Sequence, residues 1–109
     1  TLPAATGGGG KYRFVVNVVN TSGYAIKAVS GADVFQGCII GNDGGGVTTT
    51  LRWQAGSTDD TLTLNGTTTG GVTKGDWVEF EDIATDCWAV RGVVNQSGNE
   101  ATPFSDTVA

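Results

Sequence analysis

Residues 47–54 alternate without a break. Val47, Thr49, Leu51 and Trp53 fall on one side, and Thr48, Thr50, Arg52 and Gln54 on the other. A period of two sends successive side chains to opposite faces of a strand. Shorter runs of the same kind recur along the 109 residues, and 18 glycines separate them. Glycine, threonine, valine and asparagine dominate, and all are poor in helix interiors. Short alternating runs cut by glycine constrain the fold more than any other feature, and they predict an all-β chain.

The other runs follow in order. Residues 11–20 place Tyr12, Phe14, Val16 and Val18 on one face, with Arg13, Val15, Asn17 and Val19 on a mixed second face. Residues 24–30 alternate likewise, and Asn20-Thr21-Ser22-Gly23 has the residue types of a hairpin loop between the two. Residues 34–40 form a strand interrupted by Gly37, which predicts a bulge or a close backbone approach. A loop is expected over 41–46 and a turn over 56–60. Residues 61–65 place Leu62 and Leu64 inward and Thr61 and Thr63 outward. After a connection over 66–75, residues 76–83 set Val78 and Phe80 against Trp77, Glu79 and Glu81. A tight turn at 84–86 leads to a strand over 87–94, a loop over 95–100 and a tail carrying Phe104. The expectation is one β domain over 1–109, an antiparallel sandwich or small jelly-roll-like barrel of seven to eight short strands.

Composition removes several functions. The chain has no histidine, which excludes Ser-His and Cys-His nucleophiles and most zinc chemistry. Its net charge of −5 and only six Lys and Arg argue against nucleic acid and anionic membranes as partners. No apolar run approaches the roughly 18 residues of a membrane span. There is no methionine, so Thr1 is not expected to be the untouched start of translation.

The residues that carry chemistry are few. Cys38 and Cys87 lie in strand-like runs, as two buried thiols or a cross-strand or inter-sheet disulfide; neither has a CxxC partner. Asp59-Asp60 and the group Glu79, Glu81 and Asp82 are the acidic clusters. Paired carboxylates serve glycoside hydrolysis or calcium. Asp59-Asp60 suits a turn, however, and Asp82 falls on the strand face opposite Glu79 and Glu81. No catalytic, cofactor or metal site is expected. Gly7-Gly8-Gly9-Gly10-Lys11 fails the phosphate-loop pattern, because a strand follows the lysine. Lys74-Gly75-Asp76 is best taken as a turn. Asn20-Thr21-Ser22, Asn65-Gly66-Thr67 and Asn95-Gln96-Ser97 fit the glycosylation acceptor pattern, as short polar stretches do by chance. Trp53 and Trp88 sit on apolar faces and are expected in the core. Trp77 shares its face with Glu79 and Glu81, which suits a subunit contact or a sugar-stacking platform.

Three segments carry a family resemblance. Thr1-Leu2-Pro3-Ala4-Ala5-Thr6-Gly7 runs through glycines into Tyr12-Arg13-Phe14-Val15-Val16. Asn65-Gly66-Thr67-Thr68-Thr69-Gly70-Gly71 leads to Lys74-Gly75-Asp76-Trp77-Val78-Glu79-Phe80-Glu81-Asp82. Trp88-Ala89-Val90-Arg91-Gly92 precedes Ser97-Gly98-Asn99-Glu100-Ala101-Thr102-Pro103-Phe104-Ser105. In this order they resemble the small proteins that decorate or cement the outer capsid of tailed bacteriophages, and parts of phage fibres. The family usually carries residues ahead of the first segment; the two cysteines are not part of its pattern.

The resemblance implies a non-enzymatic virion protein without a cofactor. It would be a homotrimer on the outer capsid surface, bound to the major capsid protein at three-fold or quasi-three-fold positions. A second decoration protein is a further partner to consider. A trimeric clamp matches that symmetry, and three modest contacts act together through effective concentration. The contact candidates are Leu2, Pro3, Val15, Val19, Trp77 and Phe104. Residues 1–10 are expected to form a contact arm; the alternative is an ordinary first strand and turn. The competing functions are a fibre or adhesin domain that binds host glycans through Trp77, and a polysaccharide hydrolase using Glu79 or Glu81.

Overall fold

A computed structural model describes residues 1–19, 23–43 and 50–108. The described residues form eight strands and no helix: β1 (Lys11–Val15), β2 (Tyr24–Lys27), β3 (Val34–Asp43), β4 (Thr50–Gln54), β5 (Thr61–Leu64), β6 (Trp77–Ala84), β7 (Cys87–Gln96) and β8 (Phe104–Ser105). They build a five-stranded sheet in the order β1-β6-β7-β3-β4 and a three-stranded sheet in the order β2-β5-β8. The chain is an all-β sandwich, as the alternation predicted.

The core lies between the sheets. The large sheet contributes Phe35, Ile39, Val78, Phe80, Trp88, Val90 and Val94; the small sheet contributes Ile26, Leu62, Leu64 and Phe104. Each fully buried large apolar side chain stabilises the fold by about 1.5–3 kcal/mol relative to leaving it in water. The rings of Phe35 and Phe80 pack with centroids 4.9 Å apart, which ties β3 to β6 across β7.

Several connections differ from the expectation. The long central strands β3 and β7 run parallel, from Val34 beside Cys87 to Asp43 beside Gln96. Alternation reports faces and carries no information about strand direction. The other ladders are antiparallel. Residues 11–15 and 24–27 do not form a hairpin: β1 pairs with β6 and β2 with β5, in different sheets. Asn42, Asp43, Asn95 and Gln96 extend β3 and β7, although loops were expected there. The rest of the expected loop over 41–46 and the start of the run at 47–49 lie outside the described residues.

Gly37 is the close approach that its position predicted. Its φ is +129°, and a Cβ there would collide with the carbonyl oxygen of Val90 on the neighbouring strand. Only glycine has both the conformational freedom and the space. The tight turn also stands: Asp86 takes a left-handed φ of 60°, a conformation aspartate tolerates, and β6 returns directly into β7.

Candidate interaction surface

The register of the five-stranded sheet sets its outer face into rows that run across the strands. One row carries Lys11, Glu81, Ala89 and Gln36. The next carries Arg13, Glu79, Arg91, Cys38 and Gln54. The third carries Val15, Trp77, Val93, Ile40 and Arg52. Two rows are thus charged or polar, and the third is an apolar stripe over four strands. Val15 is 54% exposed and Val93 36%, while Trp77 and Ile40 are half-buried.

The charged rows brace the stripe. The Arg13 guanidinium lies 4.5 Å from the centroid of the Trp77 ring, a cation–π contact that covers one ring face. Arg91 reaches Glu81 at 3.6 Å, an exposed pair of small energetic weight.

A second apolar surface lies where edge strand β1 stands apart from β2. There Phe14, Val16, Val18, Tyr24, Ile26 and Leu64 line an open cleft of about 650 Å³. Phe14 and Tyr12 point toward the core side and meet Phe80 and Trp88 edge-on, with centroids 6.1 and 5.9 Å apart. They stay about two-fifths exposed because β1 is the outermost strand of its sheet. Val18 was expected to share their strand face; it lies past the end of β1 and is 64% exposed.

Of the six contact candidates, Val15 and Val19 are exposed, Pro3 is exposed, and Trp77 is half-buried on the outer face. Leu2 and Phe104 are corrections: both are core residues, 3% and 4% exposed. Alternation could not place them, because each lies in a terminal segment held by a distant carboxylate. The N-terminal segment is docked rather than free. Leu2 N–H donates to the Lys27 carbonyl at 2.8 Å and Ala5 N–H to Asp33 at 2.9 Å. Thr6 and Gly7 N–H donate to Asp82 at 2.9 and 2.6 Å. These first seven residues belong to no strand of either sheet and make only an isolated bridge, from Thr6 to Thr85.

Aspartates of both acidic clusters work the same way, whereas Glu79 and Glu81 stand on the outer face. Asp82 is held below its ordinary value chiefly by the Thr6 N–H; burial opposes this, and bonds from Gly7, the Thr6 hydroxyl and Gly8 reinforce it. Asp60 is fully buried and accepts the N–H groups of Thr107 and Val108 at 3.0 and 3.2 Å, which ties down the C-terminal tail. Burial pushes its carboxyl up, and the bonds from Val108, Thr107 and the Thr61 hydroxyl together outweigh that and hold it low. Thr61, expected outward, is buried because its hydroxyl meets Asp60 and Thr107. Asp76 closes its turn by accepting from Thr73 N–H and from the backbone and side chain of Asn95.

Sequence reasoning missed Gln96. It is fully buried, accepts the Trp53 indole N–H at 2.7 Å and donates to the carbonyls of Thr68 and Ala101, both at 3.0 Å. Trp53 itself is half-buried against the core, whereas Trp88 is wholly inside it. The only available signal was the short extension of the alternation past Val94. The side-chain nitrogens of Asn65 and Asn95 donate to Thr68 and Asp76, so two of the three acceptor asparagines are engaged, Asn65 after the end of β5 and Asn95 within β7. Asn20-Thr21-Ser22 lies outside the described residues.

Cys38 and Cys87 are both free and half-buried. In the parallel register Cys38 lies beside Arg91, four residues along β7 from Cys87. That spacing is about 13 Å at strand rise, well past the roughly 7 Å a disulfide spans between Cα atoms. A bond between them within one chain is excluded. No family model, no curated protein and no solved structure matches this chain.

Proposed function

We propose that this chain is a decoration protein of a tailed-phage head. It binds the outer surface of the major capsid lattice as a homotrimer at three-fold or quasi-three-fold positions and stabilises the head. The observation that carries the reading is the outward stripe Val15–Trp77–Val93–Ile40 on the large sheet. A broad sheet face with a contiguous apolar stripe suits the contact between copies in such a homotrimer, since interface cores favour aromatic and aliphatic groups flanked by arginine. The order of the three phage-like segments gives that surface its biological setting. The aspartates that sequence reasoning weighed for chemistry are engaged in holding backbone, which fits a contact role.

Heads lacking this protein provide the test. Added purified chain should cosediment with expanded heads, occupy three-fold positions in cryo-electron microscopy and raise the temperature at which DNA is released. Failure to cosediment, or release at an unchanged temperature, overturns the reading. The Arg13 guanidinium on Trp77 weighs against sugar stacking, so a glycan array should show no binding. Specific hits there would favour a fibre-type adhesin instead.

A further inference from the structure

We infer that copies of this chain associate head-to-tail, the outer face of the five-stranded sheet seating on the acidic end of the neighbouring copy. Charge segregation carries the argument. The outer face holds Lys11, Arg13, Arg52 and Arg91 against only Glu79 and Glu81, a net charge of +2 in a chain whose net charge is −5. The rest of the molecule therefore carries −7.

Part of that negative charge gathers at one end. Phe35 N–H donates to the Asp59 carbonyl at 2.8 Å and Val34 N–H to the Asp86 carbonyl at 3.0 Å, so both acids flank the start of β3. Asp106 lies in the tail that Asp60 holds beside them. Asp86 and Asp106 are exposed and Asp59 is half-buried.

The stripe and the acidic end are separate surfaces. Ile40 stands six residues along β3 from Val34, about 20 Å at strand rise. A surface complementary to a different part of the same molecule makes a heterologous contact, which closes into a ring when the rotation permits. In that contact the apolar stripe supplies the buried centre and the cations around it meet the acids of the next copy. Ring closure at three rests on the reading above; the head-to-tail contact does not.

Sedimentation equilibrium tests it with two variants. The face variant Trp77→Thr/Val93→Glu removes the centre of the stripe. The end variant Asp59→Asn/Asp86→Asn/Asp106→Lys removes acid while keeping an acceptor oxygen for Gly56 and a residue tolerant of left-handed backbone at 86. Wild type should be oligomeric at tens of micromolar and weaken with salt, and each variant should lose affinity by about 30-fold or more. Mixed in equal amounts, the two should form a heterodimer through the one intact pair of surfaces. A monomeric wild type, an unweakened variant, or no heterodimer in the mixture would overturn the inference. Thermal unfolding and far-ultraviolet circular dichroism check folding, and Val15→Glu at the exposed end of the stripe replaces the face variant if that one unfolds. Association as described without capsid binding would overturn only the decoration reading; capsid binding by a monomer would overturn this inference and the homotrimer of that reading, and leave its capsid contact standing.

Discussion

Asp82 reaches across 76 residues of sequence to accept the Thr6 N–H at 2.9 Å. The carboxylate is 6% exposed, on the core side of β6, and it also accepts from Gly7. It does there what a backbone carbonyl does in a ladder, for a segment with no strand partner beyond an isolated bridge from Thr6 to Thr85.

The first prediction is acid sensitivity of that segment. Asp82 and Asp60 both have folded values below the ordinary 3.8. A depressed carboxylate stabilises the fold above its unfolded value, and that stabilisation is lost as pH falls through the lower folded value. Stability should therefore be insensitive to these two groups above about pH 5 and fall below about pH 4. Asp82→Asn turns a donor toward the segment's N–H groups, so it should lower the melting temperature at pH 7. The gap from wild type should narrow as pH falls through the carboxylate's folded value, which lies below the ordinary 3.8. A constant gap across pH 2–7 would show that the charge of Asp82 plays no part.

The second prediction concerns Trp53 and Gln96. Trp53→Phe keeps most of the ring and removes the donor to a fully buried amide oxygen. A buried acceptor left unpaired costs about 1–3 kcal/mol. Urea unfolding should shift by that amount, with the denaturant slope unchanged. Gln54→Ala, in the same strand and exposed, should shift it by less than about 0.5 kcal/mol.

These two networks also show what the sequence could and could not reveal. Faces were legible: Val78 and Phe80 inside, Trp77 and Glu79 outside, and Leu62 and Leu64 inside all follow from period two. Partners were not. A period of two assigns no neighbour, so the sharing of β1 and β2 between sheets and the parallel pairing of β3 with β7 were invisible. The candidate surface divides in the same way. Val15 and Trp77 were legible as outward residues of strands. Their alignment with Val93 and Ile40 in one row needed the register. Leu2 and Phe104 read as sticky surface residues because an apolar side chain in a polar terminal segment gives no sign of the carboxylate that docks it.

A third prediction separates strain from crowding at glycine. Gly37 has φ +129° and faces the Val90 carbonyl, whereas Gly75 has φ +97° and nothing within 4 Å of a built Cβ. Gly75→Ala carries the backbone penalty alone, about 1–2 kcal/mol. Gly37→Ala adds a collision with the backbone of a central strand, so it should cost more than about 3 kcal/mol or prevent folding. Equal costs in chemical denaturation would mean that β3 and β7 separate readily, contrary to their central place in the sheet.

The fourth prediction follows from the parallel register. Because Cys38 and Cys87 lie four residue positions apart along adjacent strands, oxidising the monomer should not bridge them. Thiol titration after denaturation should find two free thiols per chain, and a reductant should leave the melting temperature unchanged. Burial pushes the Cys87 thiol up, so less of it is thiolate at neutral pH. Maleimide labelling of the folded protein should therefore show Cys87 slower than the same residue in the unfolded chain, with the difference narrowing as pH rises. A single bridged species on nonreducing mass analysis of the monomer would require β3 to pair with β7 in a register shifted by four residues, which would also dismantle the outward row of Trp77, Val93 and Ile40.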